Sequence, residues 1–162
     1  MRIQIRRVLS DMAKRIIVQS PDPILSKKCR PVEAFDGKLH TLLDDMKDTL
    51  EAADGAGLAA PQVSVLRRAC IVSTEDGFFE LINPVLVSAE GKQTGIEGCL
   101  SVKGKYGTVT RAEKIKVEAD YRFGKKRVYE VSGFTARAFQ HEMDHLDGVL
   151  YTSKCSDLQD EE

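Results

Sequence analysis

Two of the chain's three histidines fall within Gln140–Leu146, QHEMDHL, with a glutamate directly after the first. His141 and His145 are four residues apart, so on a helix they stand one turn above the other on the same face. From there two imidazoles reach a single divalent metal ion, and Glu142 sits beside them with no need to be a ligand. The work open to such a glutamate is to accept a proton from water activated at the metal. A bland alternative is a helix whose histidines merely cap or pair. The flanks speak against it: Phe134, Ala138, His141 and His145 share one stripe, while Phe139, Met143 and Leu146 cover most of the rest. A helix apolar nearly all round is buried, and buried imidazoles need a ligand or a hydrogen-bond partner.

A catalytic tetrahedral centre takes three protein ligands and keeps one position open. The candidates for the third are acids and the four cysteines. Cys70 reads as a small hydrophobe in a buried strand, and Cys29 and Cys155 as cysteines in polar surroundings near the chain ends. Cys99 lies in Glu97-Gly98-Cys99-Leu100-Ser101, a glycine-bearing break between strand patterns, where a structural thiol and a ligand are both open readings. Gly55–Gln62, GAGLAAPQ, fits G-x-G-x-x-[G/A]. A dinucleotide-binding loop needs a strand before it and a helix after it, whereas here a helix precedes and Pro61 stops continuation. The two glycines let another group approach the backbone closely, and Gln62 is the one long polar side chain in the stretch.

The elements that must position these residues follow from periodicity. Ile16–Val18 reads as a short strand, ended by a Ser20–Pro23 turn, with Asp22-Pro23 opening a helical turn over Ile24 and Leu25. Leu39, Leu42, Leu43, Met46, Leu50 and Ala53 recur at helical spacing, and Asp54-Gly55 stops that helix. His40 falls on its polar side and reads as solvated. Ala69–Val72 and Phe78–Ile82 flank a hairpin turn at Thr74–Gly77, and Pro84–Val87 follows. Ile115, Val117, Ala119, Tyr121 and Phe123 alternate with charged residues as a half-buried strand, which Gly124–Lys126 turns into Val128–Val131. Thr135 is placed to cap the histidine-bearing helix. The fold class expected is α+β, antiparallel strands wrapped around a buried C-terminal helix.

With 162 residues, the chain fits one domain with a core of its own. Its 24 basic and 25 acidic residues nearly cancel, which removes any global electrostatic case for nucleic acid or an anionic membrane. There is no apolar run of transmembrane length and no secretory h-region. Four cysteines in such a chain read as reduced thiols in the cytoplasm. Residues 1–11, basic with alternating Ile3 and Ile5, read as an extension, residues 12–153 as the catalytic domain, and residues 154–162 as a short acidic tail.

Taken together, GAGLAAPQ (Gly55–Gln62), EGCLS (Glu97–Ser101) and QHEMDH (Gln140–His145) resemble the three signature motifs of peptide deformylases, in that family's order and spacing. The resemblance runs from about Met12 to Tyr151 and includes the Pro21–Leu25 stretch and the Ile82-Asn83-Pro84 join. It implies a metal held by Cys99, His141 and His145, with Glu142 as base and the Gln62 side chain and Leu100 N–H stabilising the oxyanion. The implied activity is removal of formyl from the N-terminal methionine of new polypeptides, with release of formate. Softness permits Zn²⁺, Ni²⁺, Co²⁺ or Fe²⁺ at a thiolate–imidazole centre, and the resemblance favours Fe²⁺ in the cell. A substrate strand is expected along Ala56, Gly57 and Gly98, with Phe134 and Ala138 lining a pocket for methionine. Arg111 and Glu97 are either a pair steadying the Cys99 loop or separate solvated charges. Lys103 departs from the proline common at that position. The acidic Asp157–Glu162 end offers no basic helix, so the ribosome contact expected is a transient one, made by a monomer. The rival readings are a zinc peptidase, which would want another ligand downstream, and a structural metal module, which would want a fourth.

Overall fold

A computed structural model of the chain describes residues 14–161; the proposed N-terminal extension lies outside them. Ala69–Val72 is an unbroken apolar run, as a strand buried on both faces requires. It lies in β2 (Ala69–Thr74) of a five-stranded antiparallel sheet ordered β1-β2-β3-β6-β7, with β1 Gly57–Ala59, β3 Gly77–Glu90, β6 Lys114–Asp120 and β7 Lys126–Ser132. Alternation then assigns the faces. Cys70 and Val72 pack with Leu81, Val117 and Phe139, whereas Ile71 and Ile82 pack with Leu43, Met46 and Leu50. One face therefore takes helix α1 (Gly37–Ala53) and the other takes α2 (Gly133–Leu146), the histidine-bearing helix. Asp36 caps α1 by accepting from Leu39 N–H, and Asp54 ends it in the left-handed conformation at φ 54°.

A second sheet, β4-β5-β8, is built from β4 (Gln93–Cys99), β5 (Val102–Arg111) and β8 (Leu158–Asp160). Its first hairpin carries Cys99, and a register shift between Glu97 and Cys99 marks a bulge at Gly98. The acidic end of the chain supplies β8, which pairs along β5 through Lys105↔Asp160, Tyr106↔Gln159 and Gly107↔Leu158.

Several expectations need correction. Ile16–Val18 is not a strand; it is an irregular segment held by Val18 N–H donating to Gln62 O at 2.8 Å and Ser20 N–H to Ser101 O at 2.8 Å. Pro84 does not separate two strands, because β3 runs 14 residues through a bulge at Asn83 (φ 51°). The Asn83 amide bonds both the N–H and the C=O of Val32, replacing ladder bonds the bulge forfeits. Thr135 lies inside α2, whose preceding residue is Ser132, and its hydroxyl bonds Asp76 and Thr74 across the β2–β3 turn. His40 is half-buried rather than solvated, with Nε2 2.7 Å from Arg122 O and its ring edge-on to Phe123. Cys29 belongs to the core, only 4% exposed, against the polar surroundings expected for it. Tyr121 and Phe123 lie in the β6–β7 turn.

Candidate metal centre

Helix α2 presents His141 and His145 one turn apart, both buried, their ring centroids 5.1 Å apart. Strand β4 ends beside them. Cys99 Sγ lies 3.3 Å from His145 Nε2, and one ligand atom from each of Cys99, His141 and His145 falls within 4.8 Å of the others. Ligand bonds of about 2.0–2.3 Å put tetrahedral donors about 3.5 Å apart, so a cation is accommodated with little closing of the trio. The two imidazoles differ sharply in basicity. Burial alone would depress His141, yet its interactions with Cys99 and Glu97 carry it up to about 10. His145 goes the other way, to about 3, through burial and repulsion from His141 and Arg111. A proton and a metal ion compete for the same donors. Three buried side-chain atoms here, Glu142 Oε2, His145 Nδ1 and Tyr151 Oη, have no hydrogen-bond partner among the described residues. Thiolate and imidazole donors, their spacing and this polarity all fit a divalent transition metal.

Glu142 lies against β1. A Cβ on Gly57 would sit 2.7 Å from Glu142 Cγ and 2.9 Å from its Cδ, so glycine is what lets the carboxyl in. Burial pushes the Glu142 pKa up to about 7 against the pull of positive charge on His141 and Arg111. Gln62, 1% exposed, sits in the short 3₁₀ turn Ala60–Val63. Its Oε1 accepts from Ala59 N–H at 2.9 Å, which orients Nε2 toward Ser101 Oγ (2.9 Å) and Cys99 Sγ (3.7 Å). Leu100 is held from behind, where its carbonyl accepts from Gln19 Nε2 at 2.8 Å.

Glu97 and Arg111 are a buried pair, not separate solvated charges. Glu97 Oε2 accepts from Arg111 Nε at 2.6 Å and from Arg137 Nη1 at 2.5 Å; Oε1 accepts from Arg111 Nη2 at 2.8 Å and lies 2.8 Å from His141 Nδ1. Burial would raise this carboxyl, but the bonds from Arg111 and His141 hold it well below the usual carboxylate range. Arg111 Nη1 reaches on to Asp144 at 2.9 Å, which Lys154 also pairs at 3.0 Å. Tyr151, buried, stacks on the His141 ring at 5.9 Å and 24°. Arg137, Asp144, Ser101, Gln19 and Tyr151 were not singled out in sequence. Arg137 alone left a trace, as a lone charge between Ala136 and Ala138 in an apolar helix.

A cleft of about 400 Å³ opens over Cys99, His141 and Glu142, lined among others by Ala56, Gly57, Gly98, Leu100, Phe134 and Ala138. Every residue expected to bind substrate thus borders one cavity. Ala138 is 8% exposed and Phe134 60%, so Phe134 stands on the rim.

A family model described as polypeptide deformylase matches residues 14–161. Peptide deformylase 1 of Bacillus subtilis is 52% identical over 147 residues, covering 90% of this chain and 92% of the relative. The peptide deformylase of Symbiobacterium thermophilum is 50% identical over 151 residues, 91% of this chain and 70% of that one. Among solved structures, a Legionella pneumophila peptide deformylase superposes with a TM-score of 0.85 at 43% identity, over 88% of this chain and 86% of its own. The Thermotoga maritima enzyme gives 0.87 at 35% identity, over 89% and 99%.

Proposed function

Because this chain belongs to the polypeptide deformylase family, we propose a role for each side chain around the trio. The protein is a metal-dependent hydrolase that removes the N-formyl group from newly made polypeptides. Cys99, His141 and His145 hold the metal. When bound, a divalent ion supplies Lewis acidity, lowering the pKa of water and polarising the formyl carbonyl.

The rest falls to the chain's own groups. Glu142 takes the proton from the attacking water and returns it to the leaving amine, acting first as base and then as acid. The Gln62 amide and the Leu100 N–H donate to the oxygen on which negative charge develops; the amide is preoriented because its own carbonyl is already committed to Ala59 N–H. Glu97 fixes the His141 ring with Nδ1–H as donor, which leaves Nε2 free to ligate. Ala56, Gly57 and Gly98 lie along the substrate backbone, while Ala138 and the rim residue Phe134 contact the methionine side chain. The metal in the cell is Fe²⁺, with Zn²⁺, Ni²⁺ and Co²⁺ able to occupy the same donors. The protein works as a cytoplasmic monomer on formyl-methionyl nascent chains, touching the ribosome transiently. No described helix is long and apolar enough to cross a membrane.

The observation that carries these roles is the convergence of one thiol and two imidazoles within 4.8 Å beside a buried carboxyl. Formate release from a formyl-methionyl peptide is the test, using anaerobically purified protein with metal analysis on the same sample. Turnover should follow bound metal and decay in air for the iron form. Activity independent of bound metal would defeat the assignment.

A further inference from the structure

Helix α2 buries a guanidinium among acceptors on two strands of the second sheet. Arg137 is 5% exposed, flanked by Ala136, Ala138 and Phe139. Taking a charge out of water costs several kcal/mol unless it is fully paired, so its partners matter. Nη1 donates to Glu97 Oε2 at 2.5 Å and to Val109 O at 3.0 Å, and Nη2 donates to Gln93 O at 3.3 Å. These acceptors lie on β4 and β5, the hairpin that carries Cys99, while Arg137 itself lies one helical turn before His141. The backbone opposite is cut away for it: a Cβ on Gly95 would meet Arg137 Nη2 at 3.2 Å.

We infer that Arg137 is a positioning residue for the metal centre, a buried clasp that sets the Cys99 hairpin against the histidine helix and locks the Glu97 carboxylate from the side Arg111 leaves open. This inference rests on the reading that Cys99, His141 and His145 are the ligands. With Arg111 alone, Glu97 would be gripped along one edge and free to tilt. Arg137 and His141 bind it from two further directions, so each oxygen takes a second partner and the carboxylate plane is fixed. The orientation of the His141 ring, and with it the direction of the Nε2 lone pair, follows from that plane. A planar fork reaching three acceptors on two strands is geometry an ammonium cannot reproduce.

The experiment is zinc release from the zinc-loaded protein to excess chelator, comparing the parent with Arg137→Met, Arg137→Lys, Gly95→Ala and Cys99→Ser. Losing a group that supports a ligand typically weakens metal binding roughly 10- to 100-fold, and Arg137→Met should speed release by that order while its far-ultraviolet dichroism stays native. Arg137→Lys should recover part of the loss. Gly95→Ala, whose Cβ would crowd Nη2 at 3.2 Å, should give a smaller acceleration, and Arg137→Lys decides the matter if Arg137→Met does not fold. Parental release rates in Arg137→Met, or in Arg137→Lys where the former is unfolded, overturn the inference. So does a rise in KM for a formyl-methionyl peptide with release unchanged, which would make Arg137 a cleft wall only. Zinc retained by Cys99→Ser would instead defeat the ligand assignment beneath it.

Discussion

Burial raises Glu142 to about 7 against the pull of positive charge on His141 and Arg111, which leaves its carboxyl able to hold or release a proton near neutrality. Glu142→Gln keeps the shape and removes the basicity. Turnover should fall roughly 10²- to 10⁴-fold with metal content unchanged, as read by elemental analysis on the assayed protein; a variant with parental kcat would take the base role away from this residue. Cys29 gives a prediction remote from the chemistry. Burial raises its thiol from 9.0 to about 11, with Arg68 opposing and Asp147 adding. The unfolded chain loses that proton above about pH 9 while the folded chain keeps it, so this contribution to stability is whole below that pH and lost as pH rises toward 11. The urea midpoint of Cys29→Ala should therefore lie closest to the parent's at the most alkaline pH, and a gap constant from neutral pH upward would contradict the assignment. At this scale the shared face of the histidine pair, with Glu142 beside it, was legible because the three lie within about one helical turn. Cys29 was misread because three of its neighbours, Lys27, Lys28 and Arg30, are exposed charges that say nothing about where a single thiol points.

Between elements, the critical join is that of β1 against α2. Gly57 has no side chain because Glu142 occupies the place of one, whereas the sequence pointed to close approach of a substrate strand and not to this carboxyl. Gly57→Ala must push Glu142 or part β1 from the helix. Overpacking of this kind typically costs about 1–3 kcal/mol, and since the displaced group is the proposed base, kcat should drop along with the denaturation midpoint. Parental values for both would show that the contact yields. The amphipathic helix α1 and the β2–β3 hairpin were plain from periodicity, and the cap at Asp54 from its turn chemistry. Phe78–Ile82 and Pro84–Val87 read as separate segments; the chain joins them with a bulge and the Asn83 amide, a device that depends on Val32 lying 51 residues away.

Across the whole molecule, the proposed metal ties the two sheets together through one helix, so binding should register as global stability. A ligand at about 100 times its Kd adds about 2.7 kcal/mol, and in a chain of this size each kcal/mol moves Tm by roughly 2–4 °C. Chelation should thus lower Tm by roughly 5–10 °C, zinc should restore it, and Cys99→Ser should respond to neither; a Tm indifferent to metal would mean the trio holds none. The tetrapeptide step between His141 and His145 needs nothing beyond a helix, so sequence alone determined that two imidazoles share a face beside a carboxyl, and the strand and helix periods determined an α+β fold. Periodicity could not say that Cys99, 46 residues before His145, arrives within 3.3 Å of it, or that Arg137 crosses to strands 28 and 44 residues back to close on Glu97. Such distances are set by how one sheet packs on another through a shared helix, and packing is a property of the folded whole that no local stretch of chain encodes.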